Sequence, residues 1–188
     1  DGRQGQGDRA SEEECNIRKN EFEDEMRILD ISSYRFWGYA DGTLMQQKGC
    51  FDDQRFDRFS KIFVTGLNDN HADHMAACRY LADALRKQGN DSAEVYVYEV
   101  HAMLQTPTHF LDITSVIEEK LRLIRCHRSQ LLSLKYDESA RCMAELRAIQ
   151  SRKAGCYYET YQRMQSDDAA EDRTFILQDE LQKSRLFY

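Results

Sequence analysis

With 188 residues, 41% of them hydrophobic and 31% charged, the chain has the make-up of a water-soluble domain long enough to bury a single core. A formal net charge of −7 argues against a nucleic acid or an anionic membrane as partner, because no basic field is present to displace counterions. No apolar run approaches the roughly 20 residues of a membrane span, and the cysteines at 15, 50, 78, 126, 142 and 156 include no Cys-x-x-Cys pair, which suggests neither a zinc knuckle nor a dithiol redox motif. A reducing, cytoplasmic compartment is the expectation.

The chain opens Asp1-Gly2-Arg3-Gln4-Gly5-Gln6-Gly7, with neither an initiator Met nor a signal peptide, and reads as a Gly-rich loop entered in the middle of a domain. Residues 11–29 follow as an amphipathic helix, with Ser11 as N-cap, acids at 12–14, and Cys15, Phe22, Met26 and Leu29 at helical spacing. Arg18 falls on that apolar stripe, so it either meets an anion or carboxylate or snorkels outward along its stem. Ser33 to Tyr39 is strand-like by its aromatic content and ends in Ala40-Asp41-Gly42, where Asp41 either faces a pocket or merely supplies turn chemistry. The phenylalanines between 51 and 59 suggest a short helix, and Lys61 to Gly66 is a β-rich run.

A helix is expected from about His74 to a stop at Gly89-Asn90-Asp91, then a strand over Glu94 to Val100. His101 and His109 lie in the loops beyond it and receive no assignment. Asp112 is the expected N-cap of a helix over 113–130, and a second helical pattern spans 137–164, interrupted near Gly155. Strands alternating with helices imply an α/β protein: a Rossmann-like three-layer sandwich with a mostly parallel sheet. Three strands are few for such a sheet, so it is expected to be truncated at its N-terminus. Residues 1–164 form this incomplete domain and 165–188 a C-terminal tail.

The stretch that carries the chemistry is His71-Ala72-Asp73-His74, in the first turn of a helix that follows a strand. His74 shares its helix face with Ala77, Cys78, Leu81 and Leu85, and looks inward. Three readings stand at this point: half of a zinc site with His74 as ligand and Asp73 holding an imidazole tautomer, a metal-free acid/base pair, or a simple helix cap.

Several short motifs, taken in order, resemble the LmbE-like family of zinc-dependent de-N-acetylases, which includes the N-acetylglucosaminyl-phosphatidylinositol de-N-acetylase. The matching segments are Asp1-Gly2, Arg18-Lys19-Asn20-Glu21, Gly38-Tyr39-Ala40-Asp41-Gly42, His71-Ala72-Asp73-His74, Asp112-Ile113-Thr114 with Lys120, and Ser129-Gln130. The resemblance implies hydrolysis of the acetamide of an N-acetylglucosamine-type conjugate, assisted by zinc or another divalent metal. It implies His74 as a metal ligand, His71 as the group that stabilises the oxyanion or protonates the amine, and Asp73 as the group that tunes His71. Arg18 and Asp41 would bind substrate.

The family's His-Pro-Asp-Asp-Glu signature, which carries two metal ligands and the general base, does not occur in this sequence. The chain on its own is therefore expected neither to hold zinc tightly nor to turn over. A family member without catalysis, acting as a carbohydrate-binding or assembly module, is the alternative, and another metallohydrolase on the same scaffold is a third reading. The expected partner is an N-acetylated amino sugar, free or conjugated. A homo-oligomer is compatible with the sequence, with the tyrosine-rich final helical pattern, 137–164, as its interface candidate.

Overall fold

A computed structural model describes residues 12–90 and 93–164. Its elements run α1 (Glu12–Ile28), a 3-10 turn (Leu44–Gln46), β1 (Lys61–Thr65), α2 (Ala72–Gln88), β2 (Glu94–Tyr98), β3 (His109–Asp112), α3 (Ile117–Ile124), α4 (Arg128–Leu131), α5 (Tyr136–Gln150) and β4 (Tyr158–Arg163). Ser11, the Gly-rich opening, Asp91 and the 165–188 tail lie outside the described residues. No helix among the described residues is long and apolar enough to cross a membrane.

The strands form one open sheet in the order β1-β2-β4-β3. β1 and β2 are parallel, with Phe63 opposite Tyr96, whereas β4 runs antiparallel to β2, with Tyr98 opposite Tyr161. The amide of Thr108 donates to Tyr161 and that of Ile113 to Tyr157, so β3 and β4 are also antiparallel. The protein is thus α/β, but two of the three pairings among the described residues are antiparallel, so this sheet is not the mostly parallel one expected.

The cause is β4. Helical periodicity carried the expected last helix through to 164, yet α5 ends at Gln150, and the chain beyond Gly155 alternates Tyr-Glu-Thr-Tyr as a strand does. The aromatic stretch 33–39 forms no strand. Tyr34 and Phe36 pack edge-to-face on Phe22 of α1 at 5.5 and 5.1 Å, so their rings are used on a helix. Residues 51–59 form turns, and Asp112 ends β3, its carboxylate accepting from the amide of Thr114 as an Asx turn does.

The described residues group into two compact units, one comprising 12–41 and 110–159, the other 42–109 and 160–164. In the first, α3 lays Ile117 and the fully enclosed Leu121 against Ala144 of α5, with Ile113 completing the cluster. In the second, Ala76, Cys78, Leu81 and Ala84 of α2 cover Val64 of β1 and Val95 and Val97 of β2. Of the inward face expected from the i, i+4 spacing, Cys78 and Leu81 are buried, whereas Ala77 and Leu85 are only partly buried and Ala76 and Ala84 take the fully buried places. Gly89 ends the helix at φ 59°, a left-handed conformation that costs glycine little, while the amides of Gly89 and Asn90 satisfy the carbonyls of Arg86 and Leu85.

Candidate metal centre

The site belongs to the second unit and is built at the C-terminal ends of the parallel pair β1 and β2. After Thr65 the chain turns at Gly66, where a Cβ would stand 2.8 Å from Asn68 Oδ1 and 3.2 Å from Val97 Cγ1. A glycine here lets the loop cross close over β2 and brings Asp69 under the start of α2. The Thr65 hydroxyl donates to the His74 carbonyl at 2.9 Å and fixes the first turn of the helix to the strand it leaves.

Asp69 is the hub. Its side chain is only 2% exposed. Oδ1 accepts from the His71 amide at 2.9 Å and Oδ2 from the His101 amide at 3.2 Å, so one carboxylate ties the loop after β1 to the loop after β2. Burial pushes this carboxyl up, but the His74 ring and the His71 and His101 amides outweigh it and hold it below the usual carboxylate value. Each oxygen has a second lone-pair direction left over.

Three imidazoles converge on this hub. The His74 and His101 rings stack at 5.1 Å with 9° between their planes, and the His71 ring stands 4.8 Å from His74. Burial, opposed by the Asp69 charge, lowers His101 from its ordinary 6.5, which leaves it a neutral imidazole with a lone pair at neutral pH. Tyr98, at the end of β2, is pushed the other way by burial and by the charge of Asp69, and keeps its phenolic proton.

The donors fit a divalent ion. One ligand atom each from Asp69, His74 and His101 lies within 4.8 Å of the others. His74 Nδ1 is buried and makes no well-aligned hydrogen bond among the described residues, although Asp69 Oδ1 is 3.1 Å away. Two donors at about 2.0–2.1 Å from a tetrahedral zinc stand about 3.3 Å apart, so this spacing suits two ligands of one ion better than a donor facing an acceptor.

His71 caps α2, its Nδ1 accepting from the Asp73 amide at 3.2 Å, and in the neutral ring the proton therefore sits on Nε2. The capping reading, one of the alternatives open at the level of sequence, is the one this contact shows. The Asp73 carboxylate accepts from the Gly42 and Leu44 amides at 2.6 and 2.9 Å, so it holds the 42–44 loop, and it is the Asp73 backbone that sets the His71 tautomer. Asp73→Ala should cost about 1–2 kcal/mol in urea unfolding, with faster amide exchange at Gly42 and Leu44.

Arg18 and Asp41 lie in the first unit, where they face each other at 3.8 Å with side chains about a third exposed. No residue of α1 is buried, so Arg18 does not face a core, and Asp41 is the carboxylate it meets at this part-exposed place.

Sequence reasoning missed Asp69 and left His101 unassigned. The available signal was topological: neighbouring parallel strands bring the loops at their C-terminal ends to one edge, and His71 and His101 each follow such a strand.

No family model matches the chain, and no curated relative matches it. Among solved structures it is similar to the conserved protein TT1542 from Thermus thermophilus, with TM-score 0.62 and 20% identity over 80% of this chain and 74% of that one. It is also similar to the N,N'-diacetylchitobiose deacetylase from Pyrococcus horikoshii, with TM-score 0.65 and 21% identity over 86% and 68%. GalB, the 4-carboxy-2-hydroxymuconate hydratase from Pseudomonas putida, gives TM-score 0.55 and 24% identity over 85% and 76%. The chain shares their fold. A deacetylase and a hydratase on one fold mean that the reaction has to be argued from the site itself.

Proposed function

We propose that this chain carries the metal centre of a hydrolase, dependent on zinc or another divalent ion, that removes the acetyl group from an N-acetylglucosamine-type conjugate. The observation that carries the reading is the convergence of Asp69, His74 and His101, with ligand atoms within 4.8 Å, beside the ring of His71. The fold shared with a chitobiose deacetylase supports the choice of an acetamide as the scissile group.

Held by these three residues, a divalent ion would polarise the acetamide carbonyl and lower the pKa of a water molecule. The remaining work falls to the chain's own groups. His71 donates a hydrogen bond from Nε2–H to the oxygen that becomes negative at the tetrahedral stage. Asp69 keeps the two histidine loops together, and Asp73 holds the 42–44 loop. Arg18 and Asp41 keep the substrate-binding role the resemblance implies, Asp41 toward a sugar hydroxyl.

The general base belongs, in the resemblance, to the His-Pro-Asp-Asp-Glu segment that these residues do not contain. We therefore propose metal binding for these residues and assign no general base among them. Weak zinc binding was the expectation while His74 stood alone; three convergent donors lead us to expect a one-to-one complex.

The test has two arms. Zinc stoichiometry is measured by chelator competition on the 188-residue chain, and acetate release is measured from N,N'-diacetylchitobiose with the native protein, against ester and phosphate controls. In that protein His71→Ala should keep the metal and lower the rate by about 10². Unimpaired turnover by His71→Ala, or acetate release that chelators leave untouched, would overturn the proposal.

A further inference from the structure

In the first unit, α1 presents Arg18, Glu21 and Glu25 along one face, at i, i+3 and i+7. The N-terminal end of α4 meets that face with two residues, Ser129 in its first turn and His127 just before it. Ser129 donates both its amide and its hydroxyl to the Glu21 carboxylate, each at 2.7 Å. His127 places Nε2 2.9 Å from Glu25 Oε2, with both side chains largely covered, at 31% and 21% exposure. The two attachments differ in kind. The serine contact holds over any ordinary pH, while the histidine contact has full strength only when the ring carries its proton.

We propose that His127 is a proton-operated latch that seats α1 against the turn between α3 and α4. It is closed while the imidazole is charged and released as the ring loses its proton, with Arg18 riding on the same helix. The reading is independent of the metal centre, since all the groups involved lie in the first unit.

The charges around the latch are few. From α1, Glu25 faces His127 directly and Glu21 lies one turn away. On the side of α5, Asp137 is already taken by Arg125, whose Nε donates to it at 2.8 Å. Arg128 follows on α4 itself. When the ring is neutral, Glu25 loses its cation and faces the like charge of Glu21 four residues before it, which favours release.

The sign follows from the same geometry. The hydrogen bond to Glu25 raises His127 above its ordinary 6.5, burial opposes this, and the charges of Glu25 and Glu21 add to the increase. A raised folded-state value means that the stabilisation is fully present below about pH 6.5 and is lost as the pH climbs through the folded-state value. The latch therefore opens on the alkaline side. Beyond Phe22, which is pinned by Tyr34 and Phe36 at 5.5 and 5.1 Å, the helix keeps its hold, so release is confined to the contact with α4.

The test is amide exchange at pH 6.0 and pH 8.5, corrected for intrinsic rates, on fragments covering 12–28 and 125–134 of the whole chain. The wild type should lose about fivefold in protection at the higher pH, the difference between a charged and a neutral hydrogen bond. His127→Gln, which donates to Glu25 at every pH, should show no such loss, and neither should Glu25→Gln. Fragments of α5 serve as the control for folding. Should His127→Gln not fold, the NMR titration of His127 in the wild type decides: it should lie above 6.5 and fall in Glu25→Gln. Equal protection at both pH values, the same loss in the glutamine variants, or a His127 titration that Glu25→Gln leaves in place would each overturn the latch.

Discussion

His101→Ala is expected to weaken zinc binding by more than about 100-fold, and His74→Ala by at least as much, while His109→Ala leaves it unchanged. Changes to residues that merely orient a ligand already cost about 10- to 100-fold, so the loss of a ligand should exceed that. His101 and His74 occupy equivalent places, stacked at 5.1 Å, each within reach of the Asp69 carboxylate, and each following the C-terminal end of a parallel strand. His109 belongs to a different neighbourhood, edge-on to Tyr96 at 5.1 Å, and controls for the general loss of an imidazole. Competition with a chromogenic chelator at fixed pH gives the affinities directly. If His101→Ala binds as the wild type does, the ion is not held by the Asp69, His74 and His101 set, and the proposed centre falls with it.

The sequence was most legible where one physical signal acted alone. α2 is bounded by a capping residue at His71 and a left-handed glycine at 89, and its buried residues fall at the spacing that a helix packed on one side requires. Local rules of this kind need no knowledge of the rest of the chain. Where local and tertiary preferences competed, the local rule lost. Residues 33–39 have strand composition, but Phe22 offered their rings a place on α1. Tyr158–Arg163 continued a helical pattern, yet an open edge of β2 was available to pair with it.

The candidate metal centre was half legible for a related reason. His71 and His74 are neighbours in sequence, whereas Asp69 and His101 are brought together by the pairing of β1 with β2 and by a hydrogen bond 32 residues long in sequence. Asp69 also carries no motif of its own. A lone aspartate in a loop reads as turn chemistry until burial shows that its carboxylate is enclosed.

That burial makes Asp69→Ala the substitution with the largest expected effect on stability. It removes the charged acceptor of two backbone amides, His71 at 2.9 Å and His101 at 3.2 Å, at a side chain 2% exposed. Each amide left without an acceptor in such a place costs about 1–3 kcal/mol, so the sum should reach about 4 kcal/mol in urea unfolding, measured with chelator present to exclude any contribution from metal. Asp69→Asn separates the two duties of the residue. Its one remaining carbonyl oxygen can serve one amide, while its NH2 group meets the other donor head-on, so about half the stability should return. Metal affinity should return far less, because the charge of the ligand is gone. Were Asp69→Asn to recover zinc binding as well as stability, Asp69 would be a scaffold for the two histidine loops and not a ligand, and the centre would reduce to His74 and His101.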